Sequence, residues 1–539
     1  MAYQRTEVVQ PKGINKDISP YELPPEIWSD GSNINFRRGR TNKQLGYRNA
    51  FEIPSTAISP LWLTYFSGDV EYWVYGSETT IMKTTGAVNT TIGTGFNATR
   101  DFNWSSCNFN SVLVMNNPID HPQYLPEGDG TFNAVVPLEF WGTEAADTIL
   151  PPSGTYQWGA ASRAFVIRPY KNYLFAMNCT DAQGIEYPNM VRWSSPAQLG
   201  DIPPSWDPTS PSEQAGLYSL SDTPGRLLDA ATLGDYMVLY KTDAVWLAQF
   251  IGGDFNFSFR KIFSDEAGML AAECWAEFDG KHFVMSTSGA YIHNGATKQE
   301  VMEPWVKDEF FNNVADEQLK NTRVAADHNN HEIWVYYTTK ESGSNGNNDW
   351  CDRALVYHWR DSTWTIRELT GISYIAEGFS RGIIEPQDQV WDDDEQPWED
   401  DETIWNSDTS SNPDTLNIMF SDYFNMLLYL SESDNGQAGQ TMTGWVQRIG
   451  IDMNDDHDYK YLTRVVPHII GSVPVDITIY SSTTQVVNPT IQLQTVFDPT
   501  QEWNVDCHVT GRYLGIRFSC NGFFQLNGYS LEWETTGTQ

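Results

Sequence analysis

Residues 278–293 read FDGKHFVMSTSGAYIH, and this short stretch decides how the chain is read. Asp279-Gly280 separates two β-prone runs, and Thr287-Ser288-Gly289 separates the second run from Ala290-Tyr291-Ile292-His293. These are turn residues of the kind that tight hairpins require. The same local plan recurs on both sides. Upstream, Leu233-Gly234-Asp235 leads into residues 236–240, and Tyr170-Lys171-Asn172 joins residues 164–167 to 173–176. Downstream, Asp327-His328-Asn329-Asn330-His331 leads into residues 332–337, and Arg360-Asp361-Ser362 separates two further aromatic runs.

Six such units fall between Leu61 and Leu369, with tips about 40 to 60 residues apart, the range in which four-stranded propeller blades repeat. The expected fold is therefore all-β, with a six-bladed β-propeller-like core, because radial repetition leaves only short, protected strand edges. A stack of β-sandwiches with similar strand spacing is the alternative. The one amphipathic helix expected covers residues 306–319, with Val306, Phe310, Phe311 and Val314 on one face. The chain divides into an N-terminal arm and hairpin (1–50), the propeller-like domain (51–385), an acidic Trp-rich loop (386–415) and a C-terminal β domain (416–539). That last domain is expected to be a β-sandwich or a set of strands completing the core, ending in a hairpin turned at Asn527-Gly528.

At 539 residues the chain exceeds what one core normally serves. Aromatic residues make up 14% of it and charged residues 19%, a balance that argues against disorder. A net charge of -37 counts against a protein that grips nucleic acid through phosphates, since such binding needs Lys and Arg to release counterions. The six cysteines are scattered and form no C-x-x-C pair, which reads as reduced thiols. No apolar run is long enough to span a bilayer, so no membrane integration is expected.

No P-loop, dinucleotide fingerprint, G-x-S-x-G elbow or H-E-x-x-H is present. His328 and His331 flank a hairpin tip and read as a solvated turn, since a metal site would need further ligands from elsewhere. A propeller rich in Asp, Glu and Trp also suits glycan hydrolysis. The Ser-x-Asp-x-Gly-x-x-Trp box of sialidase-like propellers does not recur, however, and Asp361-Ser362-Thr363-Trp364 reads as a turn before a strand. The expectation is no enzyme and no cofactor. The most acidic stretch, with Asp392, Asp393, Asp394, Glu399, Asp400 and Asp401 between Trp391, Trp398 and Trp405, lacks the order of an EF-hand loop. It reads as a surface loop that faces a channel, docks a partner or weakly holds a cation.

The stretch 13–47, GINKDISPYELPPEIWSDGSNINFRRGRTNKQLGY, is the most patterned in the chain. Its prolines impose an extended arm, and Asn33-Ile34-Asn35-Phe36 with the Arg38-Gly39 turn predicts a hairpin. Arg37, Arg38, Arg40, Lys43 and Arg48 gather here in an otherwise acidic chain, either as a solvated tip or as a docking surface for a neighbouring copy or adaptor.

In Gly13, Pro20, Leu23, Pro24, Trp28, Asp30, Asn33, Phe36, Arg37, Gly39, Arg40, Gly46 and Tyr47 the segment resembles the tail nozzle, or packaged-DNA stabilisation (tail tubular protein B-like), family of short-tailed bacteriophages. The C-terminal strands resemble that family too. The resemblance implies a structural virion protein of the tail, made in the bacterial host cytoplasm. It also implies a hexameric ring that docks on a portal-adaptor ring, carries tail fibres or spikes, retains the genome and passes double-stranded DNA without reading its sequence. A receptor- or glycan-binding tail appendage protein is the alternative function.

Overall fold

Asp279 and Gly280 both take left-handed backbone angles, with φ of 46° and 69°. Phe278 pairs directly with Lys281 across them, giving a two-residue hairpin loop. Positive φ at both central positions matches the right-handed twist of the flanking strands, which is why Asp-Gly serves there. The computed structural model describes residues 4–9, 12–49, 58–67, 71–84, 89–126, 134–142, 157–253, 256–264, 267–344, 350–379, 416–422, 426–430, 436–437, 440–453 and 455–537. The acidic residues 392–394 and 399–401 lie outside these.

Five antiparallel four-stranded sheets follow one another as meanders, in strands running from Trp62–Phe66 to Lys298–Glu300. A sixth begins with Arg323–Asp327, Glu332–Tyr337, Cys351–His358 and the first half of the long strand Thr363–Phe379. First strands of successive blades pack side by side, Ser105–Phe109 on Arg163–Tyr170, then on Leu227–Leu233, and Trp275–Phe278 on Arg323–Asp327. The ring closes where the second half of Thr363–Phe379 packs on Trp62–Phe66, and Trp73 Nε1 donates to the Phe379 carbonyl at 3.1 Å. The fold is a six-bladed β-propeller with an added β domain.

Burial explains why the blades could be read from sequence. Second strands lie between neighbouring blades and are covered on both faces, as in Val112–Asn116, Lys281–Ser286 and Glu332–Tyr337. Their sequences are accordingly near-continuous apolar runs. Outer strands such as Phe257–Ser264 and Lys298–Glu300 are largely exposed and carry the polar residues.

Beyond the sixth blade the same sheet continues through Leu416–Asp422 and Met426–Leu430 to the arm strand Tyr47–Asn49. The C-terminal strands form two further sheets, and the arm enters both. Asp30–Ser32 extends the five-stranded sheet beside Gly444–Ile451, while Arg40–Lys43 and Gln4–Val9 pair with Phe524–Gly537 in the six-stranded one. Alternating burial along Val505–Gly511 marks one face inside and one outside, as in a sandwich.

Two local expectations are corrected. Asn527-Gly528 is not a turn, because Phe524–Gly537 runs through it as one strand. Gly528 takes φ 155° and a Cβ there would collide with the Val8 carbonyl, so glycine serves a close strand approach. The helix ends early, at Pro304–Asn313, and residues Asp316–Asn321 form a 3-10 turn. Val314 nevertheless packs in the core with Val306 and Phe310. All six cysteines are buried and free, and no described helix is long and apolar enough to cross a membrane.

Candidate functional site

The arm is built as a clasp within its own chain. Trp28 is 2% exposed, packs on Phe518 and Tyr529, and donates from Nε1 to Thr41 Oγ1 at 3.2 Å. Asn33 takes φ 57° and is 1% exposed. Its Oδ1 accepts from the Glu368 amide at 2.9 Å, its Nδ2 donates to the Thr443 carbonyl at 2.9 Å, and its own amide donates to the Ile366 carbonyl at 2.9 Å. One side chain thus ties the arm to the sixth blade and to the C-terminal domain. Asn is among the few non-glycine residues that tolerate a left-handed backbone. Tyr47 stacks on Phe420 at 5.0 Å and shares a 2.6 Å hydrogen bond with Thr370 Oγ1. Gly46 abuts the Gly436 backbone so closely that no Cβ would fit.

The five cations of this segment divide. The Arg37 guanidinium pairs with Glu332 at 2.8 Å, and Glu332 is only 4% exposed. Lys43 is 1% exposed. Arg38 and Arg40 are exposed at the hairpin tip, where Arg38 and Gly39 take φ of 53° and 71°. The Arg38 amide donates to Asp361 Oδ2 at 3.2 Å. Arg48 lies in the strand that pairs with Met426–Leu430.

A second constellation sits at the propeller axis and was not foreseen from the sequence. Arg168, from the first strand of blade three, forms a fork with Asp229 of blade four at 2.7 and 3.0 Å. Its Nη1 donates to the Ser106 carbonyl of blade two at 2.9 Å. Glu273, just before blade five, lies 3.6 Å from Arg168 and 2.9 Å from Arg323 of blade six. Tyr374 and Trp275 complete the cluster by donating to Glu273 and Asp229, each at 3.0 Å. Side chains from blades three to six and a backbone carbonyl from blade two can meet at these distances only near the axis, which places two arginines and two carboxylates there. Burial opposes the charge on Arg168, and the Asp229 and Glu273 carboxylates outweigh it, holding its pKa above the ordinary value. The four charges stand 61, 44 and 50 residues apart, but only Asp229 is a lone charge within an apolar first strand.

Between blades four and five, Tyr240 Oη lies 2.7 Å from His282 Nδ1 and 2.8 Å from His293 Nε2. His282 Nε2 reaches the Thr232 carbonyl, and His293 Nδ1 accepts from the Gly295 amide. The set closes when both rings are neutral, with His293 donating to Tyr240 and Tyr240 to His282. Burial lowers the histidine pKa values to about 4 and about 3. His328 instead meets Glu377 at 2.6 Å, and that bond raises its pKa. No group of three or more His, Cys, Asp or Glu side chains suited to a metal occurs among the described residues.

No protein-family model matches the sequence, and no curated protein does. Solved structures with a similar course exist. The extracellular domain of a hybrid two-component system from B. thetaiotaomicron is 9% identical with a TM-score of 0.38, covering 83% of this chain and 47% of its own. The chain thus spans about half of that protein. PorZ, a surface component of the type-IX secretion system of Porphyromonas gingivalis, is 11% identical with a TM-score of 0.38, covering 89% of this chain and 62% of that one. A chain of the mitotic checkpoint complex is 9% identical with a TM-score of 0.36, covering 71% of this chain and 97% of that one.

Proposed function

We propose that this chain is a structural tail nozzle subunit of a short-tailed bacteriophage. Copies form a ring, six by the family resemblance, that continues the portal-adaptor channel, retains the packaged genome and conducts it into the host. The observation that carries this reading is the arm. Among the residues on which the resemblance rests, Trp28, Asn33, Arg37, Gly46 and Tyr47 hold the arm against the propeller sheet and the C-terminal strands. A sequence signature kept by such a clasp belongs to a rigid building block.

The axial charge cluster supports the same role. It ties blades two to six together with charge pairs, and in this reading the DNA path runs between copies around a common axis. With a charge of -37 per chain, the wall of that path repels phosphates. Screening over about 8 Å at physiological salt limits the repulsion to close range, which discourages sticking without blocking passage. In this reading Arg38 and Arg40 face a neighbouring subunit or the adaptor, and the acidic residues 392–394 and 399–401 face the channel or dock a fibre.

Negative-stain images of the purified protein test the proposal. A closed ring with an axial channel is expected, and the double variant Arg38→Glu, Arg40→Glu should assemble poorly while remaining folded. Monomers or trimers that bind cell-surface glycans, with no ring, would instead make the chain a receptor-binding appendage.

A further inference from the structure

Residues 477–497, ITIYSSTTQVVNPTIQLQTVF, form the longest run of the chain without Asp, Glu, Lys or Arg, in a sequence whose net charge is -37. The run ends in the strand Thr490–Phe497, which pairs with Val475–Ser482 on one side and is the outermost member of the five-stranded sheet. Its other side pairs with no described strand, so a row of backbone N–H and C=O groups faces outward for a further strand to take up.

Proteins ordinarily guard such an edge with charge, and other edges of this molecule are guarded. Phe257–Ser264 carries Arg260 and Lys261, Val505–Gly511 carries Asp506, and Ile34–Arg37 ends in Arg37. Thr490–Phe497 has no such residue. Thr490, Gln492, Gln494 and Val496, on one face, are all exposed. On the other face Leu493 packs against the core, yet Ile491 beside it is 51% exposed.

The missing charge selects the occupant. A basic partner would be held best by carboxylates, of which the chain has 70 and this edge none. Two chains of charge -37 repel one another, and they approach most easily across a surface that carries no charge. The strand is also complementary to itself. Antiparallel pairing centred on Leu493 keeps each face continuous and sets Gln492 opposite Gln494, Ile491 opposite Thr495 and Thr490 opposite Val496.

We propose that Thr490–Phe497 is a self-pairing edge, which joins two copies of this chain through a continuous β-sheet about a two-fold axis. The contact goes beyond the nozzle reading, because a two-fold contact closes on a pair and does not by itself build a ring of six.

Oxidative cross-linking of the full chain tests the pairing against a quiet background, since all six native cysteines are buried. Thr490→Cys combined with Val496→Cys places thiols opposite each other across the two-fold, and a covalent dimer is expected on a non-reducing gel. Thr490→Cys combined with Gln494→Cys sets no two thiols opposite and should stay monomeric there. In sedimentation the parent chain should travel as pairs, of single subunits or of whole rings. Gln492→Lys with Gln494→Lys sets lysine opposite lysine at exposed positions and should weaken pairing about tenfold or more, with the unfolding midpoint unchanged. Gln492→Lys with Gln494→Glu sets opposite charges face to face and should restore it. Absence of the cross-link, equal cross-linking in the control, pairing unchanged by the lysines or not restored by the glutamate would overturn the proposal. A ring that forms without the cross-link leaves the nozzle reading standing alone, and cross-linked pairs without a ring leave the pairing standing alone.

Discussion

Arg168 at the propeller axis and Arg367 at the arm seam are both buried arginines, and the fold treats them oppositely. Arg168 meets a forked carboxylate, a second carboxylate and a carbonyl, and its pKa is held above the ordinary value. Arg367 lies over the rings of Trp334 and Tyr47 without an ion pair among the described residues, and burial lowers its pKa to about 10. The axis is a finished joint, with charge matched by charge. The seam keeps unmet bonding capacity at Arg367 Nε. The first kind of buried charge is met by ion pairs, whereas the second rests on aromatic rings and a single carbonyl.

Asp229→Ala leaves Arg168 without its fork and should cost about 3–5 kcal/mol, read as a fall in the denaturant midpoint. Arg367→Met removes an unpaired charge and one hydrogen bond, so its cost should stay near 1 kcal/mol. Equal effects of the two substitutions would contradict the distinction.

Acid sharpens it from another side. His282 and His293 have folded pKa values below the ordinary 6.5, so the unfolded chain binds protons first as pH falls. Their contribution is full above pH 6.5 and is lost as the pH falls toward 4 and 3, roughly 3 kcal/mol for His282 alone. Asp327, at the seam, has the opposite sign. Burial and the neighbouring Glu332 raise its pKa to about 7, so its contribution is full below pH 3.8 and is lost as pH rises through 7. Thermal unfolding of Asp327→Asn should therefore gain on the parent chain at pH 8 and match it near pH 4.

At the clasp, Asn33→Ala should cost about 1–3 kcal/mol by stranding the Glu368 amide and the Thr443 carbonyl. Faster proteolysis within residues 28–47 is the expected sign. Arg37→Met exposes the buried Glu332 carboxylate to the same order of loss. Arg38→Glu and Arg40→Glu, at the exposed tip, should stay within about 0.5 kcal/mol in stability.

The blades were legible because second strands are covered on both faces and read as unbroken apolar runs between turn residues. The hairpin at Arg38-Gly39 was legible for the same turn chemistry. The clasp was not, because the partners of Asn33 lie more than 300 residues away, and a lone Asn carries no mark of such a bond. The same distance hid the fate of the cations, since nothing in Arg37 itself names Glu332 as its partner. Asn527-Gly528 misled because glycine serves close strand approach as readily as a turn. The axial cluster left no such mark, because Arg168 and Arg323 share their strands with Arg163 and Asp327, and Glu273 precedes its strand.

Hydrogen exchange in residues 28–47, compared between dilute monomer and assembled protein, tests the intrachain clasp most directly. Equal slow exchange of the Asn33, Gln44 and Thr41 amides in both states is predicted. Protection that appears only in the assembly would show that the arm belongs to a neighbouring copy and contradict the account.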